Sequence, residues 1–353
     1  VSAAESAESF GRLLAALNSE ENVAALTDIV LFERDIYAAR GMTTYIADSF
    51  ALDLLTDTTE RSPTFLAPPF RKQGDEGAAP SWFYLVLPQP NAEAAWRRML
   101  RRDLNPIDWT QDDIAAMLGN EAARMKSMPR LDRKEILRFD ISEAGAAHRL
   151  RSPGDGLVVF VDGRDPGEAP RLKAAFGRLV QGRPVQARVV FVGAKAEYAG
   201  LRGELESFSG KPRLLKLLLP DEPGLLGLSR RLGLKMAMNA VSTLTMTLLG
   251  RVLGNCMIWV SPSNKKLYDR ATRYVAQLSG ASYADACSAV FHVMDHLRPR
   301  QAAGQETPSP VLLAAVALLA KADPAQAEAV LAASLASGES ADALLGRLKK
   351  SAG

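Results

Sequence analysis

Along most of the chain, short apolar runs alternate with amphipathic stretches. The runs are Thr43–Ala47, Ser81–Leu87, Ile136–Ile141, Leu157–Val161, Arg188–Val192, Leu214–Leu219 and Cys256–Val260. Several, such as Leu157–Val161, are apolar on both alternate faces. That pattern predicts strands covered on both sides, hence a parallel sheet with helices on each face. Helical spacing of apolar positions intervenes over Ala92–Arg102, Pro170–Val180 and Leu225–Leu253. The strand–helix rhythm predicts an α/β, doubly wound fold. After Ser263 the strand-like runs cease and alanine becomes abundant. Lys265–Leu278, Tyr283–Leu297, Pro310–Ala320, Pro324–Leu335 and Ser340–Leu348 read as helices, and polar Pro299–Pro310 reads as a linker. Asp323 before Pro324 and Ser309 before Pro310 are capping residues ahead of a proline at the first helical position. The expected division is a helical segment over 1–40, an α/β domain over 41–264 and an all-helical subdomain over 265–353.

Composition narrows the possibilities. The 353 residues suit one large domain with an appendage. Lys+Arg 43 against Asp+Glu 40 leaves +3, so the overall charge gives no reason to expect a nucleic-acid partner. Cys256 and Cys287 cannot build a disulfide framework and suit a reducing compartment. The apolar stretch Met236–Gly250 is shorter than the roughly 20 residues a membrane span requires. The polar, acidic N-terminus is unlike a secretory signal. A cytoplasmic location with no membrane contact is therefore expected. The chain starts at Val1 rather than methionine, which fits a processed product or a piece of something longer.

Five places could carry chemistry. Thr56 to Phe65 concentrates hydroxyls, a carboxylate and an arginine: Glu60 could accept from a sugar hydroxyl or move a proton, or the stretch is a solvated helix end capped by Asp57. Ser229-Arg230-Arg231-Leu232-Gly233-Leu234-Lys235 opens a long apolar helix. Lys235 there either reaches a phosphate or snorkels at a core edge. Asn239 and Ser242 interrupt the same helix and need partners if buried. His292 and His296 lie one turn apart, a spacing that can grip zinc, but the Glu of the zinc-protease motif is missing; a solvent-facing stripe is the alternative, and no metal or cofactor is expected. Arg97, Arg98, Arg101 and Arg102 flank Trp96, Met99 and Leu100, giving either an anion patch or a solvated helix face. Asp162-Gly163-Arg164-Asp165-Pro166-Gly167 matches no phosphate-loop motif and reads as a turn. Neither cysteine has a histidine or CxxC neighbour to support thiol catalysis.

Two blocks resemble a known family. Lys235 to Leu267, including Leu249-Gly250-Arg251-Val252-Leu253-Gly254-Asn255 and Ser263-Asn264-Lys265-Lys266-Leu267, is similar to the C-terminal signature of the N-acetylmuramic acid 6-phosphate etherases and of the related glucokinase regulatory protein. Asp57-Thr58-Thr59-Glu60-Arg61-Ser62-Pro63-Thr64-Phe65 resembles an etherase segment bearing a catalytic glutamate. The resemblance implies the sugar isomerase (SIS) fold with a helical lid, a phosphorylated sugar or amino sugar as ligand, Glu60 as the catalytic position and Lys235 as a phosphosugar contact. Ser49, Thr58, Thr59, Ser62 and Asn239 join them as expected substrate-binding residues.

The departures count as much. The phosphate loop after the first strand is replaced by Ala47-Asp48-Ser49-Phe50-Ala51, a second loop by Asp162 to Pro166, and the second catalytic glutamate has no counterpart after Ser81–Gln89. At ~4 Å, like charges repel by about 4 kcal/mol at a protein edge, so Asp48 and Asp162 are expected to turn a phosphate away. The resemblance therefore implies a phosphosugar sensor or half of a two-lobe site. It would be completed by a second SIS lobe or a homodimer partner, with a sugar kinase as a further partner. A lyase releasing lactate and a ligand-free interaction module are the alternatives.

Overall fold

The computed structural model describes residues 2–75, 79–119, 131–221 and 227–352; Val1 and the expected helix start at 225–226 lie outside them. In chain order the elements are α1 (Ala3–Leu17), α2 (Glu20–Ala38), β1 (Thr43–Ile46), α3 (Ala51–Phe65), β2 (Phe83–Val86), α4 (Ala92–Leu100), α5 (Gln111–Leu118), α6 (Arg133–Leu137), β3 (Gly156–Asp162), α7 (Glu168–Val180), β4 (Gln186–Gly193), α8 (Lys195–Glu206), β5 (Arg213–Leu218), α9 (Leu228–Leu248), α10 (Lys265–Ser279), α11 (Tyr283–Ala302), α12 (Pro310–Ala320), α13 (Pro324–Ala336) and α14 (Ala341–Ala352). The five strands form one wholly parallel sheet in the order β2-β1-β3-β4-β5. The α/β, doubly wound architecture with a helical C-terminal part is as expected.

Internal contacts separate two compact units. The first comprises Val1–Thr58, Phe70–Glu76 and Trp82–Met238, and the second Thr59–Pro69, Gly77–Ser81 and Asn239–Gly353. In the first unit, Val159, Val161, Val189 and Phe191 on one sheet face pack against Leu172 and Phe176 of α7 and Leu201 and Leu205 of α8. The opposite face receives α2. Tyr37 stacks on Trp82 at 5.5 Å, and buried Glu33 accepts from the Tyr45 hydroxyl. Gly156 permits that packing, because a Cβ there would lie 2.1 Å from Ile36 Cδ1 and 2.8 Å from Phe32 Cζ. At the outer strand β5, Asn22 Oδ1 accepts from Leu218 N–H and its Nδ2 donates to Leu218 O, both at 2.7 Å, so α2 satisfies part of an open sheet edge.

The second unit is helical. Its core joins Val290, Val293 and Leu297 of α11 with Leu312, Leu313 and Val316 of α12, Leu331 of α13 and Leu344 of α14. The two proline-led helix starts are capped as expected. Ser309 accepts from Leu312 N–H at 3.0 Å, and Asp323 accepts from Gln326 N–H at 2.8 Å. No single helix among the described residues is long and apolar enough to cross a membrane. The bent pair α12–α13 is apolar in combination, but α12 is buried from Pro310 to Ala317.

Three expectations fail. Ile136–Ile141 is not a strand: Asp132 caps α6 by accepting from Glu135 N–H at 2.8 Å, and the Phe139 carbonyl accepts from the Trp96 indole at 2.9 Å instead of a ladder. Cys256–Val260 is not a strand either. Its alternation buries Cys256, Ile258 and Val260 in the helical core, the Ile258 carbonyl accepts from the Ser309 hydroxyl, and only an isolated bridge joins Leu253 to Cys256. The Pro299–Pro310 linker is shorter than expected, because α11 continues to Ala302. There Arg300 makes a two-pronged pair with Glu328 of α13 at 2.6 and 2.7 Å.

Candidate functional site

In doubly wound sheets ligands gather outside the carboxyl ends of the strands, where the winding reverses. Here β1 leads to β2 on one side while β3, β4 and β5 continue on the other, so the reversal lies between β1 and β3. Two loops meet there, one running into α3 and one into α7. Their amides face a carboxylate from the chain itself. Glu168, at the first position of α7 and fully buried, accepts from Ser49 N–H at 2.6 Å through one oxygen and from Asp162 N–H at 2.7 Å through the other. Burial pushes its carboxyl up to about 7, against the two amides, with Asp162 and Asp48 adding to the rise.

Asp48 does not stand as the bare charge expected. Its carboxylate receives Arg98 Nε at 2.6 Å and Nη2 at 2.7 Å, then Arg171 Nη2 at 2.9 Å, while Arg171 also reaches Asp165 at 2.6 Å. Burial would raise this group, but the paired guanidinium groups of Arg98 and Arg171 outweigh it and hold it below the usual carboxylate range. In the second loop, α9 supplies a compensating charge. Arg230, its side chain 1% exposed, meets Asp162 at 2.8 Å and Glu197 at 2.9 Å. The 163–167 segment is the turn expected.

Beside these pairs a cavity of about 610 Å³ is lined by Asp48, Ser49, Asp53, Arg98, Arg101 and Arg231, among others. Arg231 ties two of its walls together: it pairs with Asp53 of α3 and donates to Ser49 O at 3.1 Å. Arg101 ends α4 in the left-handed conformation (φ 55°), and its guanidinium has no ion-pair partner among the described residues. The solvated-face reading of the arginine run therefore holds for Arg97, which pairs with Glu93 and Asp103, but not for Arg98.

The expected site residues fall in different surroundings. Ser49 lines the cavity. Lys235 lies one turn beyond Arg231, donates to Thr56 Oγ1 at 3.1 Å, and with Arg231 counters the burial that raises Asp53. Thr58 is buried and donates back to Leu54 O and Leu55 O at 2.9 and 3.0 Å. Ser62 donates to Ala67 O at 2.6 Å. Thr59 and Glu60 are exposed on α3, and Asn239 on α9. Ser49, Thr58 and Lys235 belong to the first unit; Thr59, Glu60, Ser62 and Asn239 belong to the second. The histidine stripe is not wholly solvent-facing. His292 is exposed, whereas His296 Nε2 lies 2.8 Å from Glu328, and no group of three metal-ligating side chains occurs among the described residues. Burial pushes the Cys256 thiol up, away from reactivity.

Sequence reasoning missed Glu168 and Arg171. Besides partners six residues away, Asp162 and Asp165, they meet Ser49 and Asp48, 119 and 123 residues off. A buried-face carboxylate at the first turn of a helix directly after a strand-ending turn is the one local signal that pointed to Glu168.

No family model matches the sequence. Local similarity links it to N-acetylmuramic acid 6-phosphate etherases. The identity is 42% over 64 residues with the protein of Cutibacterium acnes, covering 18% of this chain and 21% of that protein. It is 48% over 52 residues with that of Microcystis aeruginosa, covering 15% and 17%. It is 37% over 62 residues with that of Staphylococcus aureus, covering 18% and 20%. A segment of this chain is related to the etherases. The matches span about a fifth of those relatives' own length.

Proposed function

We propose that this chain binds a phosphorylated amino sugar as one lobe of a two-lobe SIS-type site, with the phosphate held outside its own β1–α3 loop. The observation that carries this reading is the Glu168 carboxylate, which takes the Ser49 and Asp162 amides that a bound phosphate would need. Replacing that buried group by a dianion would require breaking two short hydrogen bonds and bringing more negative charge beside Asp48 and Asp162. The name of the relatives, N-acetylmuramic acid 6-phosphate etherase, suggests the ligand. Lys235 is proposed to meet the phosphate, and a second lobe, either another copy or a separate domain, supplies the remaining donors.

Titration calorimetry with N-acetylmuramic acid 6-phosphate tests it. Wild type should bind. Lys235→Ala should weaken binding by about tenfold, the worth of one charge-assisted contact. Equal affinity in the two would remove Lys235 from the site. A crystal soaked with the ligand that shows phosphate on Ser49 N–H, with Glu168 displaced, would overturn the arrangement.

A further inference from the structure

At the opposite end of the same sheet, beneath the amino ends of β4 and β5, lies a second concavity of about 670 Å³. Arg183, Arg188, Lys211 and Arg213 are among its lining residues, and no carboxylate is; the guanidinium groups of Arg188 and Arg213 turn to α2 on the other face of the sheet. Ser209 and Gln186 add hydroxyl and amide groups. Part of this charge is already met. Asp28 of α2 pairs with Arg188 at 2.6 Å and with Arg213 at 2.7 Å, and Arg183 donates to the Arg149 carbonyl at 3.2 Å. Lys211 has no hydrogen-bond or ion-pair partner among the described residues. It is held there at a cost: Gly210 (φ 72°) and Lys211 (φ 47°) are successive left-handed residues, and the second is one that a lysine seldom adopts.

Arg183 and Lys211 leave two full charges facing the hollow, since Asp28 of α2 takes up the guanidinium groups of Arg188 and Arg213. The carboxyl end of α7, which also faces this hollow, opposes them with about half a charge.

We propose that this hollow is a binding site for a small phosphorylated polyanion, separate from the sugar site at the other end of the sheet. Converging cations on a preformed concave wall suit a ligand of two or more negative charges, such as a diphosphate. A singly charged one would gain little over water and salt. Lys211 and Arg183 make the contacts.

The test uses the whole chain and inorganic pyrophosphate, followed by calorimetry at low and at physiological salt. Wild type should bind in the range below about 1 mM and weaken as salt rises. Lys211→Gly removes the charge and at the same time suits the left-handed backbone, so its fold is kept; its affinity should fall by about tenfold, and Lys211→Gly with Arg183→Gln by more. Lys235→Ala and Arg101→Gln, at the other end of the sheet, should leave pyrophosphate affinity unchanged. No binding by wild type at about 1 mM would overturn the proposal, as would a Lys211→Gly, Arg183→Gln chain that binds as wild type does. A loss confined to Lys235→Ala or Arg101→Gln would overturn it too, by assigning the anion to the sugar end. A nucleoside triphosphate that binds tighter than pyrophosphate, with the same dependence on Lys211, would extend the site to nucleotides.

Discussion

Glu168 makes folding stability depend on pH in a way that one substitution should erase. Its carboxyl rises from the ordinary 4.5 to about 7 in the folded chain, chiefly by burial. Between those two values the native state holds a proton that the unfolded chain has released. Stability contributed by this group is therefore complete below pH about 4.5 and declines as pH rises toward 7, then stays level. A difference of that size amounts to about 3 kcal/mol across the window. Glu168→Gln is neutral throughout. It keeps one acceptor for either Ser49 N–H or Asp162 N–H and sets an NH₂ group against the other, a fixed cost of about 1–3 kcal/mol that does not vary with pH. Urea denaturation of both chains across pH 4.5 to 7.5 reads the difference directly. The wild type should lose its advantage steadily as pH rises, and the variant should lack that slope. Parallel profiles would refute the reasoning, because a carboxylate of ordinary acidity at this place would mean the cradle is wet rather than closed.

Other consequences can be checked separately. Removing both resident acids, Asp48→Ala with Glu168→Gly, frees Arg98 and two loop amides and leaves Arg171 with Asp165 alone, so inorganic phosphate should raise the melting temperature of this variant by more than that of wild type. Gly156→Ala should cost about 1–3 kcal/mol in urea denaturation, since its Cβ would meet Ile36 and Phe32 and push α2 from the sheet. Leu313→Ala, at a wholly buried position of α12, should cost about 2–5 kcal/mol, while leaving pyrophosphate affinity at the sheet unit intact.

The parallel sheet was legible because a strand covered on both faces is apolar on both, and Leu157–Val161 of β3 and Val189–Val192 of β4 carry that mark. Helices α12 and α13 were legible from their cap-and-proline starts. The alternation at Cys256–Val260 misled because packing against helices buries every second residue as readily as a sheet does. Around the cavity, local reading marked the basic start of α9 and the acidic loops, which the structure brings together. The same reading took Asp48 as an unanswered charge, since the answering guanidinium groups come from Arg98 and Arg171, 50 and 123 residues away. Asp162 likewise pairs with Arg230, 68 residues on. Charge balance in a folded site is set by which strand ends the topology brings together, and no window along the chain contains that information.

One consequence concerns how the helical unit comes apart. Helix α12 is apolar on every side, and α10, α11, α13 and α14 all pack against it. A bundle wound about such an axle has no loose outer member guarding its centre, so thinning it one helix at a time would strand bare hydrocarbon in water. Its opening should be a single cooperative event, with the amide protons of Leu312 to Val316 the slowest of the unit to trade with solvent.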